Sequence, residues 1–125
     1  MRLVLLALIA GLGGSLVVTP PASAQSLGTF RWQTSPFCNV LTANITRESS
    51  DSFSITGFDD KCGAASRDAL YGAFFLNPRG DIGGGVTIVT AGGASQHLDI
   101  VIDPFTLAGT WTSSDGSSGA FVPAR

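Results

Sequence analysis

From residue 25 onward, apolar and polar side chains alternate in short runs, and turn-forming residues return about every ten positions. In the run Thr29 to Thr34, Phe30 and Trp32 alternate with Arg31 and Gln33. In Cys38 to Arg47, Leu41, Ala43 and Ile45 alternate with Thr42, Asn44 and Thr46. Ser52 to Phe58, Ile82 to Thr90, His97 to Ile102, Leu107 to Thr112 and Gly119 to Val122 keep the same period of two. Strands produce that period because successive side chains point to opposite faces. Ala69 to Leu76 is apolar on both faces, so periodicity alone also allows a helix; Tyr71, Phe74, Phe75 and Gly72 favour a strand. Eight strands are therefore expected and no helix among them. Apart from Asp59 to Asp68, every connection is short enough for a hairpin, so neighbours in sequence should pair antiparallel in an up-and-down meander.

Gly28-Thr29-Phe30, Gly72-Ala73-Phe74, Gly109-Thr110-Trp111 and Gly119-Ala120-Phe121 each place a glycine two residues before an aromatic ring, on the same face of the strand. A glycine there leaves room for a ring from the next strand and permits a sharp bend. Small closed barrels need such bends, and closure removes exposed sheet edges. The expected fold is thus an all-β small closed barrel, with a two-sheet sandwich as the alternative.

The segment before residue 25 has a different character. Met1-Arg2 is followed by an almost wholly apolar stretch, Leu3 to Val18, then by Thr19-Pro20-Pro21 and Ala22-Ser23-Ala24. This is the layout of an export signal cleaved between Ala24 and Gln25, with Ala22 and Ala24 as the small residues flanking the cut. About sixteen apolar residues interrupted by three glycines make a poor membrane span. Residues 1–24 are read as signal peptide and 25–125 as a single β-barrel domain, secreted or periplasmic, with no span once the signal is removed. The whole chain carries a formal charge of −2, which argues against a nucleic-acid partner.

Export changes the meaning of the two cysteines, Cys38 and Cys62. A hairpin turn at Ser49-Ser50 would set Cys38 opposite Lys61, and one bulged residue would bring it opposite Cys62. A disulfide closing that hairpin and pinning the following loop is the expectation; there is no Cys-x-x-Cys and no His/Cys cluster for a metal.

Chemistry is sparse. His97 is the only imidazole and shares a strand face with Asp99, but no serine sits in a nucleophile elbow, so an exposed strand histidine is expected rather than a catalytic one. Asp59, Asp60, Lys61, Arg67 and Asp68 form the most polar connection and the candidate binding loop; its spacing matches no calcium loop, and its charges are expected to be solvated. Gly83-Gly84-Gly85 is not followed by Lys-Ser/Thr or a helix, so it cradles no phosphate. Arg79-Gly80-Asp81 at a hairpin tip is explained by turn chemistry, and Asn44-Ile45-Thr46 is a glycosylation sequon on a polar strand face.

Phe30-Arg31-Trp32-Gln33, Pro36 to Asn39, Gly57-Phe58-Asp59-Asp60 with Cys62-Gly63-Ala64, and Ile82-Gly83 with Thr87-Ile88-Val89 resemble a set of bacterial secreted proteins to which no activity is assigned. Gly109-Thr110-Trp111 followed by Asp115-Gly116-Ser117 is similar to the first hairpin of avidin-like barrels, where it opens the barrel; here it lies near the C-terminus, and no biotin-binding residue carries over. Small exported protease inhibitors share the eight-stranded, single-disulfide plan at the level of architecture only. The reading is an exported, non-enzymatic β-barrel without cofactor that binds a small ligand or a protein. The alternative is a proteinaceous inhibitor of an exported hydrolase, plugging it with Gln25 to Gly28 or with the Asp59–Asp68 loop.

Overall fold

In the computed structural model, which describes residues 24–124, the alternating runs become eight strands. These are β1 (Gln25–Ser35), β2 (Val40–Arg47), β3 (Ser52–Asp59), β4 (Asp68–Leu76), β5 (Ile82–Val89), β6 (Ser95–Ile102), β7 (Gly109–Ser113) and β8 (Ser118–Pro123). Each pairs antiparallel with the next, and β8 returns to β1 through the ladder from Trp32–Pro123 to Ser35–Ala120, closing the barrel in sequence order. The ambiguous run around Tyr71 is strand β4, paired along its length with β3 and β5. Residues 1–23 of the expected signal segment, Ala22 among them, lie outside the described residues. Ala24 and Gln25 are exposed, and Gln25 opens β1 opposite Arg47.

Period two sorts the side chains. Trp32, Leu41, Ala43, Ile45, Ile55, Leu70, Phe74, Val86, Ile88, Leu98, Ile100, Ile102, Trp111 and Phe121 are buried and form one core inside the barrel. Trp32 is its centre: its ring stacks on Phe121 at 5.0 Å and meets Phe74 edge-on at 6.4 Å. Both buried indoles reach a backbone acceptor, Trp32 Nε1 donating to the Leu107 carbonyl and Trp111 Nε1 to that of Ser35. That satisfies the polar handle that otherwise makes a buried tryptophan costly. The middle of the barrel is filled. Only about 10 Å³ stays empty between Trp32, Leu41, Ile55, Phe74 and Phe121, room for a single water at most.

The glycine-aromatic tripeptides serve closure, with one correction to how they do it. A Cβ on Gly72, Gly109 or Gly119 would collide with the carbonyl oxygen of Gly85, Val101 or Ser35, so the space is filled by neighbouring backbone rather than by a ring. Gly28 works differently. It has φ +110° at the register shift between Ser26 and Gly28, a bulge that bends β1.

Register explains the disulfide. The β2–β3 ladder pairs Leu41 with Asp59 and Arg47 with Phe53, one residue away from the register of a Ser49-Ser50 turn. Cys38 and Cys62 then fall at matching positions beyond the last pair without any bulge. Their Cα atoms are 5.0 Å apart and they are bonded, tying the β1–β2 turn to the β3–β4 loop.

Candidate functional site

The up-and-down order puts four connections at one end and three at the other. The upper end, which carries the disulfide, gathers β1–β2, β3–β4, β5–β6 and β7–β8; the lower end gathers the other three, the start of β1 and the end of β8. Above the filled middle the upper end opens into a cup of about 200 Å³. Its floor and walls are Leu41, Ile88, Leu98 and Trp111, and Phe37 leans over Trp111 with ring centres 5.8 Å apart. Its polar lining is Thr34, Asn39, Asp59, Gln96, Asp115 and Ser117.

Asp59 is the best-held of these groups. As the last residue of β3 it continues the inward face of Ile55, and it is only 5% exposed. Asn39 Nδ2 donates to both its oxygens at 3.2 and 3.1 Å, and the Lys61 amide donates to Oδ1 at 2.9 Å. Asp68 lies directly across the ladder from Asp59, also 5% exposed and on the inward face of Leu70. Like charges facing each other across a sheet are unfavourable unless compensated. Compensation for Asp68 comes from Lys61, whose Nζ sits 3.3 Å from Oδ1. That buried oxygen takes no aligned hydrogen bond among the described residues, so Lys61 acts on it as a charge rather than as a donor. Across the cup, Asp115 sits in the β7–β8 turn and accepts from the Ser117 amide at 2.9 Å and the Ser117 hydroxyl at 2.6 Å. The Ser117 side-chain hydrogen bond, ahead of that from its backbone, holds the Asp115 carboxyl below its ordinary value, so it stays ionised further into acid.

Of the five loop residues singled out from sequence, only Asp59 lines the cup. Asp59 and Asp68 are strand ends facing inward, not solvated loop charges; continuing the buried faces of β3 and β4 turns them in. Asp60 organises the loop, its Oδ1 accepting from the Val40 and Cys62 amides. Lys61 pairs with Asp68, and Arg67 lies on the outer wall with its guanidinium 4.1 Å over the Phe58 ring. Gln96, Asp115, Ser117, Thr34 and Trp111 were missed, because they lie on β1, β6, β7 and the last turn and share no sequence motif. A polar residue on the inner face at a strand end, as at Thr34 and Gln96, is the signal that could have found them.

His97 stands on the outer wall of β6, its side chain half-exposed, with Nε2 3.2 Å from Asp99 and Nδ1 3.5 Å from the Thr87 hydroxyl. Hydroxyl, imidazole and carboxylate follow one another, but they lie on an outward sheet face, and the hydroxyl contact is long for proton abstraction. The charges of the Arg79-Gly80-Asp81 tripeptide lie within 3.7 Å of each other, and Asp81 also accepts from Asn77. Asn44 of the sequon is exposed and accepts from Thr29. Among the described residues no group of three or more metal-ligating side chains comes together, and no helix is long and apolar enough to cross a membrane.

At the lower end, the β6–β7 loop presents Phe105, which is 92% exposed. Asp103 Oδ1 accepts from the Phe105 and Thr106 amides, Leu107 donates back to the Asp103 carbonyl, and Ala108 bonds the Thr106 hydroxyl. Gln25 to Gly28, considered above as a plug, belong instead to β1 and pair with β2.

Comparison with known protein families, curated proteins and solved structures finds no match for this chain. The fold and site therefore define its class directly: an up-and-down eight-stranded β-barrel, filled through its middle and pinned by one disulfide, with a polar cup at the bonded end.

Proposed function

We propose that the protein is an exported, non-enzymatic binding module that takes a small polar group into the upper cup. One observation carries this: the upper cup, about 200 Å³, is where Asp59, Gln96 and Asp115 converge over an apolar floor, whereas the cavity of about 90 Å³ at the lower end, between Leu27, Phe53, Ile82 and Leu107, is lined by apolar side chains alone. A few placed polar groups over apolar walls are what small-molecule sites have in common. The disulfide braces that same end and is compatible with export. The His97–Asp99 pair, on the outer wall and not in the lining of the cup, supports leaving catalysis out of the reading. The test is a solution NMR screen of the isotope-labelled mature domain against small cationic, neutral and anionic compounds. Binders should shift the amides of Thr34, Gln96 and Ser117 together with the Trp111 indole. Gln96→Phe, which fills the cup from its rim, should abolish those shifts and leave the circular dichroism unchanged. Binders that shift only residues elsewhere would refute the reading.

A second reading, inhibition of an exported hydrolase, is favoured by the Phe105 loop. A large apolar ring held out by a hydrogen-bonded loop is poorly placed for a free monomer and well placed to enter a protein's apolar pocket. If the protein inhibits a hydrolase of its native compartment through this loop, Phe105→Asp should weaken inhibition at least about a hundredfold, the scale of an interface anchor. Unchanged inhibition would remove the loop from the interface.

A further inference from the structure

We infer that the group held in the upper cup is an organic cation, a primary or quaternary ammonium about the size of the end of a lysine side chain; this rests on the cup being the binding site.

The donors are largely engaged within the protein. Asn39 Nδ2 is directed at Asp59, Trp111 Nε1 at the Ser35 carbonyl, the Ser117 hydroxyl at Asp115, and Gln96 Nε2 at the Ser113 hydroxyl. Acceptors are left over. Gln96 Oε1 takes no hydrogen bond among the described residues and Asp59 Oδ2 takes only the one from Asn39, while Asp115, held by Ser117 and Ser113, keeps its carboxylate exposed at the rim. A lining rich in free acceptors calls for a ligand rich in donors or positive charge.

Charge points the same way. The lining holds two carboxylates, Asp59 and Asp115, and no lysine, arginine or histidine. Lys61, two residues after Asp59, is committed to Asp68. Asp59 is buried in a setting of low polarizability, where an added positive charge is attracted more strongly than at an open surface. The aromatic rim completes the match, because Phe37 is half-exposed at the mouth and leans over Trp111, and a cation over such faces gains further attraction. Size sets the upper limit. About 200 Å³ is room for roughly six or seven groups of water size, which admits a butylammonium or tetramethylammonium ion and excludes a drug-sized molecule.

The test titrates the labelled mature domain with n-butylammonium, 1-butanol and butyrate, three probes of one length and different charge, reading the amides of Thr34, Gln96 and Ser117 and the Trp111 indole. Butylammonium should bind in the cup at least about tenfold more tightly than either counterpart. Asp115→Asn, at an exposed turn position, should weaken the cation about threefold and leave 1-butanol unchanged, while Asp115→Glu should restore most of the affinity. Equal or tighter binding of 1-butanol or butyrate in the cup would overturn the cation assignment and leave the cup standing as a binding site. Cation shifts confined to outer carboxylates such as Asp51 and Asp99 would also overturn it. Silence of the cup toward all three probes would overturn the assignment together with the reading it rests on.

Discussion

Replacing Trp32 with alanine should lower the melting temperature of the barrel by at least about 15 °C. Trp32 is 2% exposed, and its indole stacks on Phe121, meets Phe74 edge-on and lies 5.9 Å from Phe30. Truncating a large buried aromatic costs about 3–5 kcal/mol, because the transfer energy is lost and a cavity remains. Collapse cannot relieve that cavity here, since every wall is a hydrogen-bonded strand of a closed barrel. The change also strands the Leu107 carbonyl, which the indole N–H now satisfies at 2.7 Å. In a domain of this size each 1 kcal/mol moves the midpoint by about 4–8 °C. Trp32→Phe should fall between, keeping most of the ring and losing the hydrogen bond. Calorimetry of the three proteins decides it, and a loss below about 5 °C for the alanine variant would mean that the aromatic stack is not the centre of the core.

The second large effect is expected from Cys38→Ser/Cys62→Ser, which should lower the midpoint by about 10 °C or more. The bond joins residues 24 apart in sequence, and closing a loop of that length removes about 3 kcal/mol of unfolded-state entropy in the chain-entropy model. Its position gives the loss a second, local consequence. The crosslink ties the Phe37 turn to the loop after Asp59, so the rim of the cup should loosen while the core around Trp32 stays packed. Hydrogen exchange should therefore quicken at Asn39, Lys61 and Gly63 before it quickens at Leu41 or Ile55. A midpoint within about 3 °C of the parent would refute the energetic claim. Uniform acceleration across β2 and β3 would refute the local one.

The strands were legible because one buried face imposes a period of two on every sequence that folds this way. Phe30/Trp32, Leu41/Ala43/Ile45 and Leu98/Ile100/Ile102 each name their strand and its inner face without help from the rest of the chain. Three of the four glycine-aromatic tripeptides carried closure in the same local manner, since a strand that must approach its neighbour's backbone has to shed a Cβ, and the fourth, at Gly28, serves it through a bulge. Short connections implied the meander. Pairing of Cys38 with Cys62 was accessible from hairpin register to within one residue, the error coming from the length of the turn after Arg47. The polar start of β1, Gln25 to Gly28, was less visible because both of its faces are exposed and nothing there alternates.

What the sequence determined by itself, then, is the set of strands, their order, their inner faces and the crosslink between the first two turns of the upper end. Tertiary structure alone decided that the barrel is filled through its middle, because whether Trp32, Phe74 and Phe121 meet or line a void depends on how strands far apart in sequence are staggered. It also decided the site. Thr34, Asp59, Gln96 and Asp115 are unremarkable polar residues at strand ends or in a turn, and only closure of β8 onto β1 brings them around one cup. The same closure turned Asp59 and Asp68 from loop charges into buried carboxylates, since a strand carried one residue further along its inner face delivers its last side chain to the interior.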